Sequence, residues 1–524
     1  LMESRFRRGV AYFGMGDYAS AREIFTKWIE SVSEHPLLPE AHVFMGDLDA
    51  MDAQVESALE HYRTVEALGG SQALIDHAYF ESASLLVANK RFAEHSELLE
   101  RYLKQYPDSP AAAEAVLRLA QVDIELGRIE SAFGHYRRGI EDFGNRSGSD
   151  HVDQLIDAWW ERDAALRMQA EQVAEFLGRL MRDETFRSAM LFDRVQQIQY
   201  LNEHPAIPEG IGALLSPRSE TYAELAKRTE ETVAGDDRVL DLEDYEALFK
   251  EQQTAQAALE QLPPGRPQVV FSRMYAAAES AGKTALALRL LRVLNLRADR
   301  SVDPSTIGER EIAQASPMTL VWIARIKAKN KPQRARALLN QVLDRSPASA
   351  AAAEALFQLG ELEMRSENFL RASEHFGRLV EDFFNHARAP QAAILQGDAL
   401  RRAGRYAAAA EAYTMILNQR DWRGEIWAEA TYKVGICFER QDALGKAQGF
   451  FERTYLAYRG YPNWASEAAF ASGKLLERLG EDESARRTYQ TFLELPDAEQ
   501  SSHYDSVRQR MQNLTPIDDV ESDS

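Results

Sequence analysis

One short pattern recurs at near-constant spacing along much of this sequence. The segments GMGDYASAREIF, ELGRIESAFGHY, RAGRYAAAAEAY and RLGEDESARRTY align without gaps: each has a glycine, an alanine five residues later and an aromatic residue four further on. The alanine position recurs every 37 or 38 residues, and His95 is its one occupant that is not alanine. A period of this length predicts a stack of similar structural units. The alanine position comprises residues 21, 58, 95 and 132, and then 335, 372, 409, 447 and 485.

Each unit is predicted to be a pair of helices, helix A before the glycine and helix B after it. A second small residue precedes the glycine position by seven residues, where it allows helix A to approach its neighbour closely. The alanine and the aromatic residue of helix B are four positions apart and therefore lie on one helix face. The sequence thus predicts an all-α solenoid of helix-turn-helix units. The small residues of helix A are Gly9, Gly46, Ala83, Ala120, Gly360, Gly397, Gly435 and Gly473.

The small, small, aromatic and proline positions resemble those of the tetratricopeptide repeat, over roughly residues 1–145 and 318–500. This resemblance implies a right-handed superhelical solenoid whose concave surface, lined by helix A, holds a protein partner. Units of 37–38 residues joined by segments such as YPDSPAAAEA look most like bacterial Tol-Pal cell-division coordinators and outer-membrane assembly lipoproteins. That likeness implies a periplasmic or cell-envelope location, with the cytoplasm as the alternative.

Fit to the repeat pattern also divides the chain into segments. Residues 1–145 hold about four units and residues 318–500 about five, while residues 268–317 form a degenerate repeat. Residues 146–267 have helical spacing of apolar residues but no clear repeat, which predicts an irregular helical linker. A terminal helix with an acidic tail is predicted for residues 501–524.

Composition excludes several classes of function. The formal net charge is −21, which argues against nucleic acid as a partner because phosphate binding needs clustered Lys and Arg. The sequence has no apolar run long enough to cross a membrane. The chain begins at Leu1, so we expect membrane association only through a missing N-terminal anchor or through a partner. The single cysteine, Cys437, forms no internal disulfide and is expected to be buried in a helix.

A near match to a phosphate-binding loop occurs at residues 277–284, AAESAGKT, around Gly282, Lys283 and Thr284. Such a loop requires a preceding β-strand, whereas the residues before this one favour a helix. Gly282 also fits the repeat, with Ala287 five residues later, so we predict a turn and no cofactor. A nucleotide-binding enzyme is therefore only a remote alternative.

Histidines do not indicate a metal site. His61, His135 and His375 each precede the aromatic position of helix B, so they occupy one repeat position three times. Successive units hold such residues about 10 Å apart, too far to share one ion. We predict no metal site and no catalytic residues.

Four arginines at one repeat position are the candidate binding residues. Two interpretations remain open. The arginines lie near the ends of helix A, where a cation suits the helix dipole, and acids precede two of them by four residues, Glu361 and Asp398. Alternatively, they form a row of donors for an acidic segment or a C-terminal carboxylate of a protein partner. The row comprises Arg365, Arg402, Arg440 and Arg478, whereas the N-terminal units have Gly14, Met51, Ala88 and Glu125 at this position.

The sequence therefore predicts a non-enzymatic protein-protein interaction scaffold within a larger assembly. The alternative is a structural spacer or assembly subunit that contacts its neighbours through convex and edge surfaces. Repeat scaffolds of one fold bind different partners through different surface residues, so the pattern does not name the partner.

Overall fold

The structure, a computed structural model, describes residues 2–146, 149–192, 194–208, 242–303 and 306–514. Within these residues every regular element is a helix, which confirms the predicted all-α repeat fold. The chain divides into two compact units. The N-terminal unit comprises Leu1–Val302 with Gly308–Ser316, and the C-terminal unit comprises Asp303–Ile307 with Pro317–Ser524.

The N-terminal unit begins with four helical hairpins and continues into longer helices. Each hairpin pairs a helix A with the helix B that follows it. The hairpin helices are α1 Met2–Gly14, α2 Tyr18–Glu30, α3 Leu38–Met51, α4 Val55–Ala67, α5 Gln72–Ala88, α6 Phe92–Gln105, α7 Ala112–Glu125 and α8 Ile129–Phe143. The remainder are α9 Asp150–Arg182, α10 Glu184–Phe192, α11 Arg194–Glu203, α12 Leu242–Glu260, α13 Pro267–Ser280, α14 Thr284–Arg297 and α15 Glu309–Gln314.

The C-terminal unit consists of five hairpins followed by one further helix. Each helix packs against the one before it and the one after it, so the hairpins follow one another without a break. Its helices are α16 Pro317–Lys327, α17 Pro332–Arg345, α18 Ala350–Arg365, α19 Phe369–Asp382, α20 Ala389–Arg402, α21 Tyr406–Leu417, α22 Glu425–Arg440, α23 Leu444–Ala457, α24 Pro462–Arg478, α25 Asp482–Leu493 and α26 Tyr504–Asn513.

Within a hairpin, the glycine of helix A lies against the aromatic ring of helix B. A Cβ atom added to Gly397 would lie 2.3 Å from a ring carbon of Tyr413, and one on Gly473 would lie 2.2 Å from Tyr489. Both rings are fully buried, so their apolar area contributes several kcal/mol to each hairpin. The alanine of helix B is equally enclosed, with an exposed fraction of 0% in every unit that keeps it. The repeat pattern therefore marks the contact that closes each hairpin.

The turn between helices A and B has one backbone conformation in most units. Gly404 has a φ of 73°, in the left-handed region that glycine adopts without steric cost. Units that have lost the glycine retain this conformation, with φ of 58° at Lys90 and at Glu367. Hairpin packing therefore imposes the turn even on residues that disfavour it.

Helices A of neighbouring hairpins contact one another more extensively than helices B do. Such contacts join α3 to α5 in the N-terminal unit, and join α20 to α22 and α22 to α24 in the C-terminal unit. The helices of a curved stack are closest on its inner side, so helices A form the inner layer of each unit.

The helix α9 joins the N-terminal hairpins to the helices that follow them. It packs against α7 and α8 on one side and against α12, α13 and α14 on the other. A buried ionic cluster supports this contact: Asp153 accepts a hydrogen bond from Arg289, and Arg292 lies 3.0 Å from Asp157. Ion pairs between residues far apart in sequence thus join α9 to α14.

The predicted segment boundaries at 145, 267 and 317 stay predictions. Part of the predicted linker, residues 209–241, lies outside the described residues, as does the acidic tail from residue 515. The terminal helix α26 is present and packs against α25.

We expect Gly435→Ala to destabilise the C-terminal unit by about 1–3 kcal/mol, because the new methyl group overpacks the hairpin. Its Cβ would lie 2.6 Å from the ring of Phe451. The matched control is Gly449→Ala in the same hairpin, where nothing lies within 4 Å and alanine favours the helix. Urea unfolding followed by circular dichroism should show a lower midpoint for the first variant only. Equal midpoints would contradict the close-contact account.

A second substitution tests the turn. Glu367→Gly should raise the stability of the C-terminal unit by about 0.5–1 kcal/mol. Relief of the left-handed backbone strain should outweigh the larger conformational entropy of glycine in the unfolded chain. The same urea measurement checks this. A lower midpoint would show that the side chain of Glu367 stabilises the unit by more than its backbone strain costs.

Candidate functional site

In the C-terminal unit, each of the helices α18, α20, α22 and α24 has one stripe of side chains that are partly or fully exposed. This stripe lies on the inner layer. In α18 the stripe runs through Glu354, Gln358, Glu361 and Arg365, and the same spacing recurs in α20, α22 and α24. Stacking the four helices brings equivalent positions into rows. One row, at the helix N-termini, comprises Glu354, Gln391, Glu429 and Glu467. The arginine row, at the C-termini, comprises Arg365, Arg402, Arg440 and Arg478.

Every member of the arginine row is exposed and is the last residue of its helix. Within the part of the chain that the structure describes, Arg365, Arg402 and Arg440 have no carboxylate within ion-pair distance. Arg478 lies 3.4 Å from Glu439 and 3.5 Å from Asp442. Three of the four guanidinium groups are therefore available to a ligand.

The three carboxylates of the row at the helix N-termini each lie close to a basic side chain. Glu354 lies 3.1 Å from Arg388, and Glu467 lies 3.0 Å from His503. Glu429 lies 2.7 Å from Lys433. The two rows are eleven positions apart along each helix, or about 16 Å. Three arginines of the arginine row thus lack a carboxylate partner among the described residues, whereas the carboxylates of the N-terminal row each have a basic neighbour.

The structure shows no ion pair between Arg402 and Asp398, the acid four residues before it. Asp398 lies 2.7 Å from Lys433 of the next helix A and 3.3 Å from Arg401, and it accepts a 2.7 Å hydrogen bond from Tyr413. Burial alone would raise the pKa of Asp398, but the charge and hydrogen bond of Lys433 outweigh it and hold the pKa below its usual value. Contacts between units thus take the acid away from the arginine row. Between Glu361 and Arg365 the structure likewise shows no ion pair.

A cleft of about 580 Å³ lies between α22 and α24, beside the row. Its lining is mixed, with apolar Ile436 and Phe470, basic Arg440, Lys474 and Arg478, and acidic Glu439, Asp442 and Glu467. A ligand that contacts the arginines there also reaches an apolar patch.

Residues 277–284 form a helix end and a turn. The helix α13 ends at Ser280, Gly282 has a φ of 65° and α14 begins at Thr284. A helix thus occupies the place where a phosphate-binding loop requires a strand. The turn predicted from the repeat is the arrangement that the structure has.

Buried carboxylates of helix A were not anticipated from the sequence. Asp49, Asp123 and Glu363 occupy one repeat position and are nearly fully buried. The histidines of helix B lie beside them: His61 is 3.7 Å from Asp49, and His135 is 3.4 Å from Asp123. The sequence does contain a signal for this contact, because the same units carry both the acid of helix A and the histidine of helix B.

These groups serve packing, and no cluster of three or more metal-ligating side chains occurs among the described residues. Cys437 is buried as predicted, and burial raises the pKa of its thiol to about 11. In the ranges that the structure describes, no helix combines the length and apolar character needed to span a membrane.

Comparison with known proteins identifies the repeat. Family models described as tetratricopeptide repeat match residues 357–425 and 3–32. No curated protein sequence is significantly similar to this chain.

Three solved structures align with much of the chain at low similarity. The P58(IPK) TPR domain is 12% identical, with 84% of this chain and 97% of that chain covered and a TM-score of 0.20. The APC/C hetero-tetramer Cut9-Hcn1 is 10% identical, with 97% and 95% covered and a TM-score of 0.28. Yeast Tom70 is 10% identical, with 91% and 95% covered and a TM-score of 0.23. Scores this low establish neither a common overall shape nor a common partner.

We expect Asp398→Asn to lower stability at neutral pH by about 1–3 kcal/mol, because Lys433 loses one of its two carboxylate partners and Arg401 loses its ion pair. Since the pKa of Asp398 is lowered in the folded state, its contribution is present above the unfolded value and is lost as the pH falls through the folded value. The melting-temperature difference from the unsubstituted protein should therefore shrink from about pH 7 to about pH 3.

The control for this measurement is Asp344→Asn, which removes an exposed carboxylate from α17. Its melting-temperature difference should be small at every pH. A difference for Asp398→Asn that stays constant with pH would contradict the assigned role of the carboxylate.

Proposed function

We propose that this chain, in which tetratricopeptide repeats are detected near the N-terminus and within the C-terminal unit, is a non-enzymatic scaffold that binds an acidic segment of a protein partner on its helix A layer. The observation that carries the proposal is the row of four exposed arginines, of which Arg365, Arg402 and Arg440 have no carboxylate partner among the described residues. Solenoids of this type present extended inner surfaces suited to a partner's peptide or helix.

The chemistry of the row favours carboxylates. A guanidinium group is planar and donates two parallel hydrogen bonds to one carboxylate, which gives geometry as well as charge. Arg365, Arg402 and Arg440 repeat at the spacing of neighbouring hairpins, about 10 Å. An acidic segment laid across the helices therefore meets one cation per hairpin, and a C-terminal carboxylate is a second form of the same ligand.

The cleft between α22 and α24 adds an apolar contact to this recognition. Ile436 and Phe470 line the same cleft as Arg440 and Lys474. Charged contacts at an exposed rim steer association, whereas an enclosed apolar side chain contributes more of the affinity. The proposed ligand is therefore an acidic segment that also carries an apolar side chain.

The alternative function is that of a spacer or assembly subunit that uses the outer layer and edges. Exposed apolar side chains on helices B, Leu370 and Met415, are the observation that favours it. This alternative requires that changes on helix B, and not on helix A, alter assembly.

We further propose a location in the bacterial cell envelope, in the periplasm, supported by the likeness of the long units to cell-envelope repeat proteins. A fusion of the natural gene to alkaline phosphatase, which is active only after export, tests this location. Activity supports the proposal, and an inactive but stable fusion contradicts it.

Charge reversal tests the arginine row. Arg402→Glu with Arg440→Glu should weaken binding of a fluorescent peptide with six glutamates and one leucine by about tenfold or more, because two attractive contacts become repulsive. The melting temperature should stay unchanged, since both residues are exposed. Fluorescence anisotropy at low and at physiological salt measures the loss, which should be larger at low salt.

The matched control is Arg371→Glu with Arg453→Glu. Both residues are exposed on helices B, so this variant changes the net charge equally on the other layer. Its peptide affinity should fall by less than about threefold, because only long-range charge changes. Equal losses in the two variants would mean that net charge, and not the arginine row, attracts the peptide.

A further inference from the structure

The described part of the chain ends at the same edge of the inner layer as the arginine row. The helix α26 packs against α24, since His503, just before α26, stacks on Phe470 with the ring centroids 4.0 Å apart. Further along both helices, Arg510 lies 2.6 Å from Glu477. The two helices therefore run in the same direction, and α26 ends beside the C-terminus of α24, which is Arg478.

The next ten residues are acidic and lie outside the described residues. Residues 515–524, TPIDDVESDS, which we call the acidic tail, contain four acidic side chains and no basic one. Two apolar residues, Ile517 and Val520, lie beside the acids. This composition matches the ligand proposed for the arginine row, an acidic segment that also carries an apolar side chain. A candidate occupant of the row therefore follows α26 directly.

The cleft of about 580 Å³ between α22 and α24 adjoins α26, because His503 contributes to its lining. Within the ranges that the structure describes, two exposed cations of this cleft, Arg440 and Lys474, have no carboxylate at ion-pair distance. The ammonium group of Lys474 lies 5.1 Å from the ring centroid of Phe470, so a cation lies directly beside apolar surface. An acidic residue next to an apolar one therefore finds a contact for each here.

The acidic side chains that line the cleft already have partners. Glu439 and Asp442 lie 3.4 and 3.5 Å from Arg478. Glu467 lies 3.0 Å from His503. The two cations without a carboxylate are therefore the groups of this cleft that an incoming carboxylate meets without displacing an existing contact.

Chain length limits which arginines the acidic tail reaches. Neighbouring helices A lie about 10 Å apart, so Arg478 and Arg440 are about 10 and 20 Å from the end of α26. An extended chain spans at most about 3.5 Å per residue, so Glu521, seven residues after Leu514, reaches about 25 Å. Arg365 is about 40 Å away, beyond the roughly 35 Å that all ten residues span. The tail is therefore long enough to cover the cleft but not the far end of the arginine row.

Covalent attachment favours this occupant over a ligand in solution. A short tether holds a segment at an effective concentration of about 1 mM, so docking with a dissociation constant of about 0.2 mM is mostly complete. A ligand of the same chemistry then has to compete with the tail and binds about sixfold more weakly.

We propose that the acidic tail docks in the cleft between α22 and α24 and competes there with the acidic segment of a protein partner. Its carboxylates pair with Lys474 and Arg440. Its two apolar side chains pack against Ile436 and Phe470. The docking requires no partner, and only the competition rests on the proposed function.

Photo-crosslinking in the full chain tests the docking without a partner. The photoreactive residue p-benzoylphenylalanine replaces Val520, and mass spectrometry maps the products in an equal mixture of unlabelled and isotope-labelled protein. We expect products with α22 and α24, near Ile436 and Phe470, in which both peptides carry the same label. Their absence overturns the proposal, as do products that join the two labels, since the occupant would then be a second copy.

Charge reversal in the cleft tests the pairing. Arg440→Glu with Lys474→Glu should lower the yield of these products by about fivefold or more, because two attractive contacts become repulsive. The matched control, Arg371→Glu with Arg453→Glu on helices B, should keep the yield within about twofold. Equal losses in the two variants overturn the assignment to the cleft.

Neutralising the tail tests the competition and changes no described residue. The tail variant should bind the peptide with six glutamates and one leucine about three- to tenfold more tightly, because no charged tethered segment competes. The matched control removes the same number of exposed carboxylates from helices B and should gain less than about twofold. A gain no larger than that of the control overturns the proposal. The tail variant is Asp518→Asn, Asp519→Asn, Glu521→Gln and Asp523→Asn, and the control is Glu374→Gln, Glu381→Gln, Glu411→Gln and Glu452→Gln.

These experiments separate the docking of the tail from the proposed function. If the peptide binds neither the unsubstituted protein nor any variant, the arginine row fails as a recognition surface, while the cross-link from position 520 still decides whether the tail docks. If the peptide binds but the cross-link to α22 and α24 is absent, the proposed function stands and the tail is overturned as an occupant of the cleft.

Discussion

The contact between a small residue of helix A and the aromatic ring of helix B is the constraint on which the rest of the structure depends. At Gly397 and Gly473 the ring occupies the space that a Cβ atom would fill, so the two helices approach at the distance set by glycine. In the hairpins that keep both residues, this contact sets how closely the two helices approach. It also determines which side chains of helix A are exposed on the inner surface, because the positions that pack against helix B are buried.

That constraint explains why the surface rows are regular and why their chemistry differs between units. Equivalent positions of helix A stack because the hairpins are alike, so one residue type repeated in sequence becomes a row in space. The arginine row follows from this in the C-terminal unit, where α18, α20, α22 and α24 all end in arginine. In the N-terminal unit the equivalent residues are mostly uncharged, so the proposed charge recognition is confined to one unit.

The sequence predicted those features that depend on local spacing. The hairpins, the left-handed turn at Gly282 and the burial of Cys437 all follow from positions within one repeat. Features that join distant residues were missed. Asp153 pairs with Arg289 across 136 positions, and nothing in the spacing of either residue indicates this. Asp398 lies four residues before Arg402, but it pairs with Arg401 and with Lys433, which lies 35 residues later and one unit away. Such contacts depend on how neighbouring units stack. A repeat pattern indicates which residues are buried between units, but it does not indicate which charged residues of two units meet.

The central claim is that the helix A layer, and not the helix B layer, is the recognition surface. The most direct measurement places a photo-crosslinking amino acid at position 402 or at position 371 in the natural host and maps the cross-linked peptides by mass spectrometry. The account predicts that position 402 cross-links to one short acidic segment of one partner, while position 371 gives little product. Cross-links of comparable yield from position 371, or products from position 402 that are spread over many unrelated proteins, would contradict it.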